Sequence, residues 1–97
     1  MLYQVQQTET FAAWHRGLDD LRAKVAIARC LERIEIGLLG DAKSLGGAVA
    51  ELRVNVGPGY RLYFTIRRRV VVVLLCGGNK RTQNADIKLA RRMVREV

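Results

Sequence analysis

Residues 49–75 read VAELRVNVGPGYRLYFTIRRRVVVVLL, and this stretch decides the fold. Apolar and polar side chains alternate over residues 49–56 and again over residues 60–67, which is typical of strands that bury one face. The Gly-Pro-Gly sequence of residues 57–59 predicts a tight turn between them. Residues 70–75 are apolar throughout, as expected of a central strand covered on both faces. The stretch therefore predicts an antiparallel meander of three strands.

One strand and two helices are predicted before this meander. Residues 2–7 alternate between apolar and polar side chains, which favours a first strand. Residues 8–16 follow as a short helix with a threonine as its N-cap, and Gly17 ends it. A longer helix begins at residues 19–20, where acidic side chains interact favourably with the helix dipole, and it ends at the glycines of residues 37–40. The apolar stripe that we expect this helix to bury comprises Leu21, Val25, Ile27, Ala28, Cys30, Leu31 and Ile34.

A flexible loop and a last helix are predicted after the meander. The loop comprises residues 77–79, and the helix has Asn84 as its candidate N-cap, with Asp86 in the first turn. The side chains of this helix that we expect to be buried are Ile87, Ala90, Val94 and Val97. Those that we expect to face water are Lys88, Arg91, Arg92 and Arg95.

The expected fold class is α+β. An N-terminal strand and two helices precede an antiparallel sheet meander and a C-terminal helix, with the helices packed on one side of the sheet. A chain of 97 residues buries one modest core, so residues 1–97 are expected to form a single domain.

The positive charge lies almost entirely in the last part of the sequence. Residues 1–60 carry seven Lys/Arg and seven Asp/Glu, which cancel. Residues 61–97 carry ten Lys/Arg against two acidic residues, and these supply the whole net charge of +8. A charge concentrated in this way attracts polyanions, and nucleic acid is the partner it favours. A solvated basic helix on an otherwise ordinary protein is the alternative.

Several other classes of protein are disfavoured by the sequence. The longest apolar run, residues 70–76, is far too short to cross a bilayer, and the N-terminus has no basic segment followed by an apolar one. Cys30 and Cys76 lie in apolar surroundings without CxxC spacing, so we expect reduced core residues. The expectation is a cytoplasmic protein without a membrane partner, a metal or any other cofactor.

Two arginines on the hairpin suggest a phosphate site. A symmetric three-residue turn would place Arg53 opposite Tyr63, so that Arg53 and Arg61 become diagonal neighbours about 7 Å apart. Guanidinium groups this close repel one another unless an anion lies between them, and arginine binds phosphate through paired donors. Neutralisation of Arg53 by Glu51 explains the same pattern equally well.

The segment after the central strand adds to this site. Gly77 and Gly78 would let backbone N–H groups approach a phosphate, and Lys80 and Arg81 supply charge just before the last helix. Taken alone, the segment is more typical of a plain connection between a strand and a helix, and its spacing is not that of a P-loop. It gains weight because this loop and the polar face of the hairpin can converge on one concave surface.

The order of several short segments resembles a known family. Residues 41–45 (DAKSL), 51–53 (ELR), 57–64 (GPGYRLYF) and 77–83 (GGNKRTQ), then Asp86 and Ile87, come in the order seen in "addiction module killer" proteins. On this combination the chain resembles the HigB-like branch of the RelE/ParE superfamily, toxins of type II toxin–antitoxin systems. The resemblance spans nearly the whole chain, including the first helix with Phe11 and Trp14. It implies a strand and two helices, then a three- or four-stranded antiparallel sheet and a variable C-terminal helix.

The resemblance also implies an activity, which is cleavage of messenger RNA in the ribosomal A site without a metal. The ribose 2′-hydroxyl attacks the adjacent phosphate and leaves a cyclic phosphate and a free 5′-hydroxyl. Arg53, Arg61 and Lys80 are similar by position to the basic catalytic residues of the family. The two arginines would stabilise the transition state, and Lys80 would hold the phosphate or protonate the leaving oxygen. Further RNA contacts are expected from Lys43, Tyr63, Arg81 and Gln83.

One departure from the family concerns the proton acceptor. RelE-type members carry a catalytic tyrosine near the C-terminus and some HigB members use histidines, whereas this chain has neither after Tyr63. Its single histidine, His15, is expected at the surface of the first helix. Two other functions therefore stay open, a ParE-like poison of DNA gyrase and a non-catalytic RNA-binding domain. The expected partners are messenger RNA, the ribosome and an acidic cognate antitoxin, in this branch commonly of helix-turn-helix type.

Overall fold

The computed structural model describes residues 2–97 and contains one mixed sheet with three α-helices. The elements in chain order are β1 (Gln4–Gln7), α1 (Glu9–Arg16), α2 (Leu21–Glu35), β2 (Ala42–Gly46), β3 (Val49–Val54), β4 (Tyr60–Arg67), β5 (Val71–Asn79), a 3₁₀ turn (Lys80–Thr82) and α3 (Gln83–Met93). The strand order is β1-β5-β4-β3-β2. Strands β2 to β5 form an antiparallel meander, and β1 joins the sheet parallel to β5. The predicted α+β class is confirmed.

Strand β2 was not predicted from the sequence. It pairs antiparallel with β3, from Ala42 opposite Leu52 to Gly46 opposite Val49, with a register irregularity between Ser44 and Gly46. Its five residues, AKSLG, contain two small side chains and a glycine and show no clean alternation. The strand therefore depends on backbone hydrogen bonds to β3 more than on a pattern of its own.

The sheet is covered on both faces, so the prediction that the helices pack on one side is wrong. On one face α1 and α2 pack over a core that includes Leu62, Phe64 and Leu74. On the other face α3 packs over a second core that includes Tyr63 and Leu75. The prediction of a central strand buried on both faces is confirmed by β5, because its alternate side chains enter the two cores.

The buried stripe of α2 is rotated from the predicted one. Its buried residues are Ala23, Ile27, Leu31 and Ile34, whereas Leu21 is 72% and Val25 is 42% exposed. Positions four apart share a helix face, so the face that contains Ile27 continues back to Ala23 and not to Leu21. The sequence pattern predicted too wide a buried stripe, because Leu21 and Val25 lie beside the buried face of α2 and not on it.

The helix starts were predicted with mixed success. Thr8 caps α1 by accepting a hydrogen bond from the N–H of Phe11, and Asp20 caps α2 by accepting from Arg22 and Ala23. Asn84 was wrong as a cap because α3 already begins at Gln83. Asn79 caps the preceding 3₁₀ turn instead, where its side chain accepts from the N–H of Arg81 at 2.8 Å.

The C-terminal helix differs from its predicted burial pattern at Val97. Val97 was expected to be buried, but α3 ends at Met93 and Val97 is 41% exposed. Arg91 is exposed, as expected, and its guanidinium also donates hydrogen bonds to the carbonyl oxygens of Leu45 and Gly46. Arg91 therefore ties α3 to strand β2.

The two cysteines are free and belong to different cores. Cys30, on α2, packs against the core beneath α1 and α2, whereas Cys76, on β5, is buried in the core beneath α3. Burial, with a smaller contribution from the charge of Asp86, raises the pKa of Cys76 to about 12. This thiol therefore stays protonated and unreactive at neutral pH. Within residues 2–97, no helix is long and apolar enough to cross a membrane.

Gly77 and Gly78 were predicted to form a flexible loop, but they belong to strand β5. A Cβ atom on Gly77 would lie 2.3 Å from the ring of Trp14, on one face of the sheet. A Cβ atom on Gly78 would lie 1.8 Å from a carboxylate oxygen of Asp86, on the other face. These glycines are required because α1 and α3 approach the strand closely at its end.

We predict that Gly77→Ala lowers the free energy of unfolding by about 1–3 kcal/mol, because the new methyl group displaces the indole of Trp14. The check is urea denaturation of four proteins: wild type, Gly77→Ala, Trp14→Leu and the double variant. The smaller leucine makes room for the methyl group, so the double variant should be more stable than the sum of the single effects by about 1 kcal/mol. Strictly additive effects would contradict the close packing of Trp14 on Gly77.

Candidate phosphate-binding site

Arg53 and Arg61 lie directly opposite one another on β3 and β4. The predicted register, with Arg53 opposite Tyr63, is therefore wrong, since Tyr63 pairs with Glu51. The last pair of the hairpin is Val54 with Tyr60, so the connection is a five-residue loop, residues 55–59, and not a three-residue turn. The Cβ atoms of the two arginines are therefore closer together than in the predicted diagonal arrangement.

Each of the two arginines has its own carboxylate partner. Nε of Arg61 donates to Oε1 of Glu51 at 2.5 Å, in a pair whose side chains are 12% and 2% exposed. Nε and Nη2 of Arg53 donate to the two carboxylate oxygens of Asp41 at 3.0 and 3.4 Å, near the surface. The sequence alternative, in which Glu51 neutralises Arg53, is wrong because the true register makes Glu51 the diagonal neighbour of Arg61.

Arg53, Arg61 and Lys80 line one open cleft of about 310 Å³. The hairpin loop forms its other wall, with Asn55 and residues 57–60. Lys80 reaches this cleft because Asn79, the last residue of β5, pairs with Tyr60 at the start of β4. The predicted convergence of the hairpin with the segment after β5 is therefore present. Lys80 brings its charge to the cleft, whereas Gly77 and Gly78, which were expected to offer backbone N–H groups there, belong to β5 and do not line it.

The four further residues that we expected to contact RNA are dispersed. Arg81 lines an adjacent cleft together with Pro58, Asn79 and Lys80. Lys43 is exposed on β2, opposite Glu51, and does not line the cleft of the two arginines. Gln83 is half-buried at the first turn of α3 and lines neither of these clefts.

Tyr63 is fully buried in the core beneath α3, which is inconsistent with the predicted contact to RNA. Burial, and after it the negative charges of Glu51 and Asp86, raise the pKa of Tyr63 above its usual value. The sequence placed Tyr63 on the polar face of β4, and this placement is correct. The missing information was that α3 covers that part of the face.

Two buried polar atoms lie close to Arg61 on the side of the sheet that α3 covers. Oε2 of Glu51 and the hydroxyl of Tyr63 are both buried, and neither has a hydrogen-bond partner among the described residues. Asp86 lies over Gly78, which is opposite Arg61, and accepts a hydrogen bond from the hydroxyl of Thr82. Sequence reasoning did not assign Asp41, Glu51 or Asp86 to the site. The correct hairpin register was the signal that would have identified Glu51.

Among residues 2–97, His15 takes part in the packing of α1 against α2. Nε2 of His15 donates to the carbonyl oxygen of Lys24 at 2.9 Å, and its ring packs near Phe11. His15 is thus half-buried between α1 and α2, not at the surface as expected. Nowhere in the described part of the chain do three His, Cys, Asp or Glu side chains come together to hold a metal ion.

Sequence comparison identifies a relative over the full chain. An uncharacterized protein of Haemophilus influenzae is 42% identical over 97 residues, which is 100% of this chain and 98% of that protein. The chain belongs to the same family as this protein. No protein-family model matches the sequence.

Structural comparison identifies the fold. A mutant of the E. coli toxin RelE, solved in the free state, superimposes with a TM-score of 0.73 and 19% sequence identity. The match covers 95% of this chain and 98% of the RelE chain. This chain therefore has a RelE-like fold.

We predict that Arg61→Ala destabilises the protein by about 3 kcal/mol, because it leaves the carboxylate of Glu51 buried without its cation. Arg53→Ala is the matched control, and it should cost less than about 1 kcal/mol because its partner Asp41 is half-exposed. Urea denaturation measures both. Adding Glu51→Gln to Arg61→Ala should recover part of the loss. Equal losses for the two single variants would contradict the difference in burial.

Proposed function

We propose that the protein is the toxin of a type II toxin–antitoxin system and that it cleaves messenger RNA on the ribosome. The observation that carries this proposal is the convergence of Arg53, Arg61 and Lys80 on one open cleft. The RelE-like fold supports it, as does the resemblance of the sequence segments to HigB-like toxins. Three cations on a small surface are suited to one phosphodiester with its flanking phosphates.

The proposed reaction is a transesterification. The 2′-hydroxyl attacks the adjacent phosphorus, the bond from phosphorus to the 5′-oxygen breaks, and the products are a 2′,3′-cyclic phosphate and a 5′-hydroxyl. Arg61 and Arg53 stabilise the extra negative charge on the phosphoryl oxygens. Lys80 holds the phosphate and gives a proton to the leaving 5′-oxygen.

The cleft favours charge stabilisation over proton abstraction. The side chains that line it are cationic, amide, phenolic or apolar, and they include no carboxylate or histidine. The carboxylates of Glu51 and Asp41 are engaged by the two arginines that line the cleft. We therefore assign to this chain the binding of the phosphate and the protonation of the leaving group, and to the ribosomal complex the acceptance of the 2′-hydroxyl proton.

Two other functions make different demands on this cleft. A ParE-like poison of DNA gyrase needs a protein-binding surface and has no use for three cations around a cleft. A non-catalytic RNA-binding domain uses the same cations but leaves the message intact. The cluster of Arg53, Arg61 and Lys80 favours the ribonuclease over the first of these, and cleavage products separate it from the second.

An acidic antitoxin is the protein partner that we propose for the basic surface of this toxin. Ten of the 17 Lys and Arg residues lie in residues 61–97, and many of them are exposed on α3 and around the cleft. A partner with complementary charge masks such a surface and speeds association. We propose a cognate antitoxin of helix-turn-helix type for this role, with the ribosome and messenger RNA as cytoplasmic targets.

We predict that the purified protein cuts a translated message on E. coli ribosomes, with breaks in phase with codons. Lys80→Ala and Arg61→Lys should reduce the cleavage rate by about 100-fold, because each removes a charge or a paired donor from the transition state. Arg61→Lys retains the charge next to Glu51 and so limits the stability loss. The measurement is mapping of 5′ ends and detection of 2′,3′-cyclic phosphate.

Lys88→Ala is the control, because Lys88 is an exposed lysine on α3 that does not line the cleft. It should cleave like the wild type. RNA binding with intact messages would favour the non-catalytic RNA-binding domain. Intact messages combined with gyrase-dependent DNA breaks would favour the gyrase poison.

A further inference from the structure

We infer that the two carboxylates beside the cleft act in opposite directions on phosphate binding. Glu51 is a positioning residue that holds the guanidinium of Arg61 with its free edge toward the cleft. Asp41 is an internal competitor that occupies the binding edge of Arg53 and must release it before a phosphate binds. The inference rests on the proposed function, because it assumes that the ligand of the cleft is an RNA phosphate.

The pair of Arg61 and Glu51 is fixed by burial. Glu51 is 2% exposed, and the only hydrogen bond of its side chain within the described residues comes from Nε of Arg61. A carboxylate in this position cannot exchange its cation for water, so separation of the pair would leave a buried, unpaired charge. Arg61 therefore keeps this contact whether or not a ligand is present.

The contact also decides which edge of Arg61 is available. A guanidinium offers two edges that can bind a phosphate through paired N–H donors, one with Nε and one with both Nη groups. Because Nε is held by Glu51, the edge with Nη1 and Nη2 is the one left for a ligand in the cleft that Arg61 lines. Glu51 thus fixes the orientation of Arg61 before the substrate arrives, which reduces the cost of ordering it.

The pair of Arg53 and Asp41 has the opposite character. Asp41 accepts from both Nε and Nη2 of Arg53, which is the paired geometry that a phosphate would use. The two side chains are 46% and 52% exposed, so water can replace either partner and the pair contributes little to stability. The N–H of Arg53 also donates to the carbonyl oxygen of Asp41, which holds this carboxylate beside the strand.

A phosphate can therefore displace Asp41 but not Glu51. When a phosphate displaces Asp41, the ion pair between Asp41 and Arg53 is lost. Removal of the negative charge of Asp41 should therefore strengthen phosphate binding. Removing the charge of Glu51 should weaken it, although both substitutions make the protein more basic by the same amount. A general effect of net charge predicts the same sign for both variants, and this difference separates the inference from simple electrostatic attraction.

The experiment compares Asp41→Asn with Glu51→Gln, two near-isosteric substitutions. The probe is a short RNA with a 2′-O-methyl group at each position, which cannot be cleaved by the proposed reaction. Its binding is followed through the Nε–Hε signals of the arginines in ¹H–¹⁵N NMR spectra. We expect Asp41→Asn to bind the probe about threefold more tightly. We expect Glu51→Gln to bind it more weakly, with faster solvent exchange of the Arg61 Nε–Hε proton.

Cleavage on the ribosome gives the second measurement. Glu51→Gln should lower kcat on the order of tenfold with a smaller change in KM, because it misplaces a group that acts in the transition state. If Glu51→Gln does not fold, Glu51→Asp replaces it. Aspartate retains the negative charge, but its side chain is one methylene shorter than that of glutamate. The ion pair would then hold the guanidinium of Arg61 further from the cleft, so we expect the Glu51→Asp variant to bind the probe more weakly.

The outcomes separate the inference from the function on which it rests. If no arginine signal of the wild type responds to the probe, the phosphate site and the inference both fail. If Arg53 and Arg61 respond but the two variants change affinity in the same direction, the phosphate site stands and the inference is overturned. Opposite changes, with Lys88→Ala unchanged, support it.

Discussion

Strand β5 hydrogen-bonds to β1 on one side and to β4 on the other, and its side chains must be buried on both faces. The apolar run of residues 71–76 could not be exposed on either side without loss of a large part of the hydrophobic stabilisation. One face is covered by α1 and α2, and the other face by α3. The requirement to cover β5 twice thus places all three helices and makes the sheet the middle layer of the molecule.

The same strand also positions the candidate site. At its end, Gly77 and Gly78 allow Trp14 and Asp86 to approach from opposite faces, and the chain then turns at Asn79 to present Lys80. The hairpin of β3 and β4 lies alongside, so that its two opposite arginines face the same cleft as this lysine. The cleft is therefore assembled by backbone pairing among three adjacent strands, and its cations lie on or next to rigid elements.

The parts of the fold that the sequence predicted correctly are those encoded in local patterns. Alternation identified β1, β3 and β4, continuous apolarity identified β5, and Thr8 and Asp20 marked the starts of two helices. Strand β2 has no comparable sequence pattern, and it forms through antiparallel pairing with β3. The face that α2 buries and the position of α3 on the opposite side of the sheet also depend on tertiary packing. Residue spacing alone does not predict this packing.

The errors in the pairing of Arg53, Arg61 and Glu51 have one common origin, which is the hairpin register. The sequence Gly-Pro-Gly suggested a three-residue turn. In the structure, strand pairing ends at Val54 and Tyr60, and a five-residue loop connects the two strands. This shift of the register by two residues exchanged the cross-strand neighbours and concealed the proximity of Glu51 to Arg61. The convergence of Arg53, Arg61 and Lys80 survived this error because either register leaves the two arginines on the same face of the hairpin, and Lys80 follows the end of the neighbouring strand β5.

The guanidinium of Arg91 has a consequence for the behaviour of the protein at high concentration. β2 is an edge strand, and an edge with free carbonyl groups can add a strand from another molecule. Arg91 occupies the carbonyl oxygens of Leu45 and Gly46, the register is irregular between Ser44 and Gly46, and Lys43 adds a charge. This edge is thereby protected against the strand-to-strand aggregation that threatens any small open sheet, and a residue of the basic C-terminal helix provides the protection.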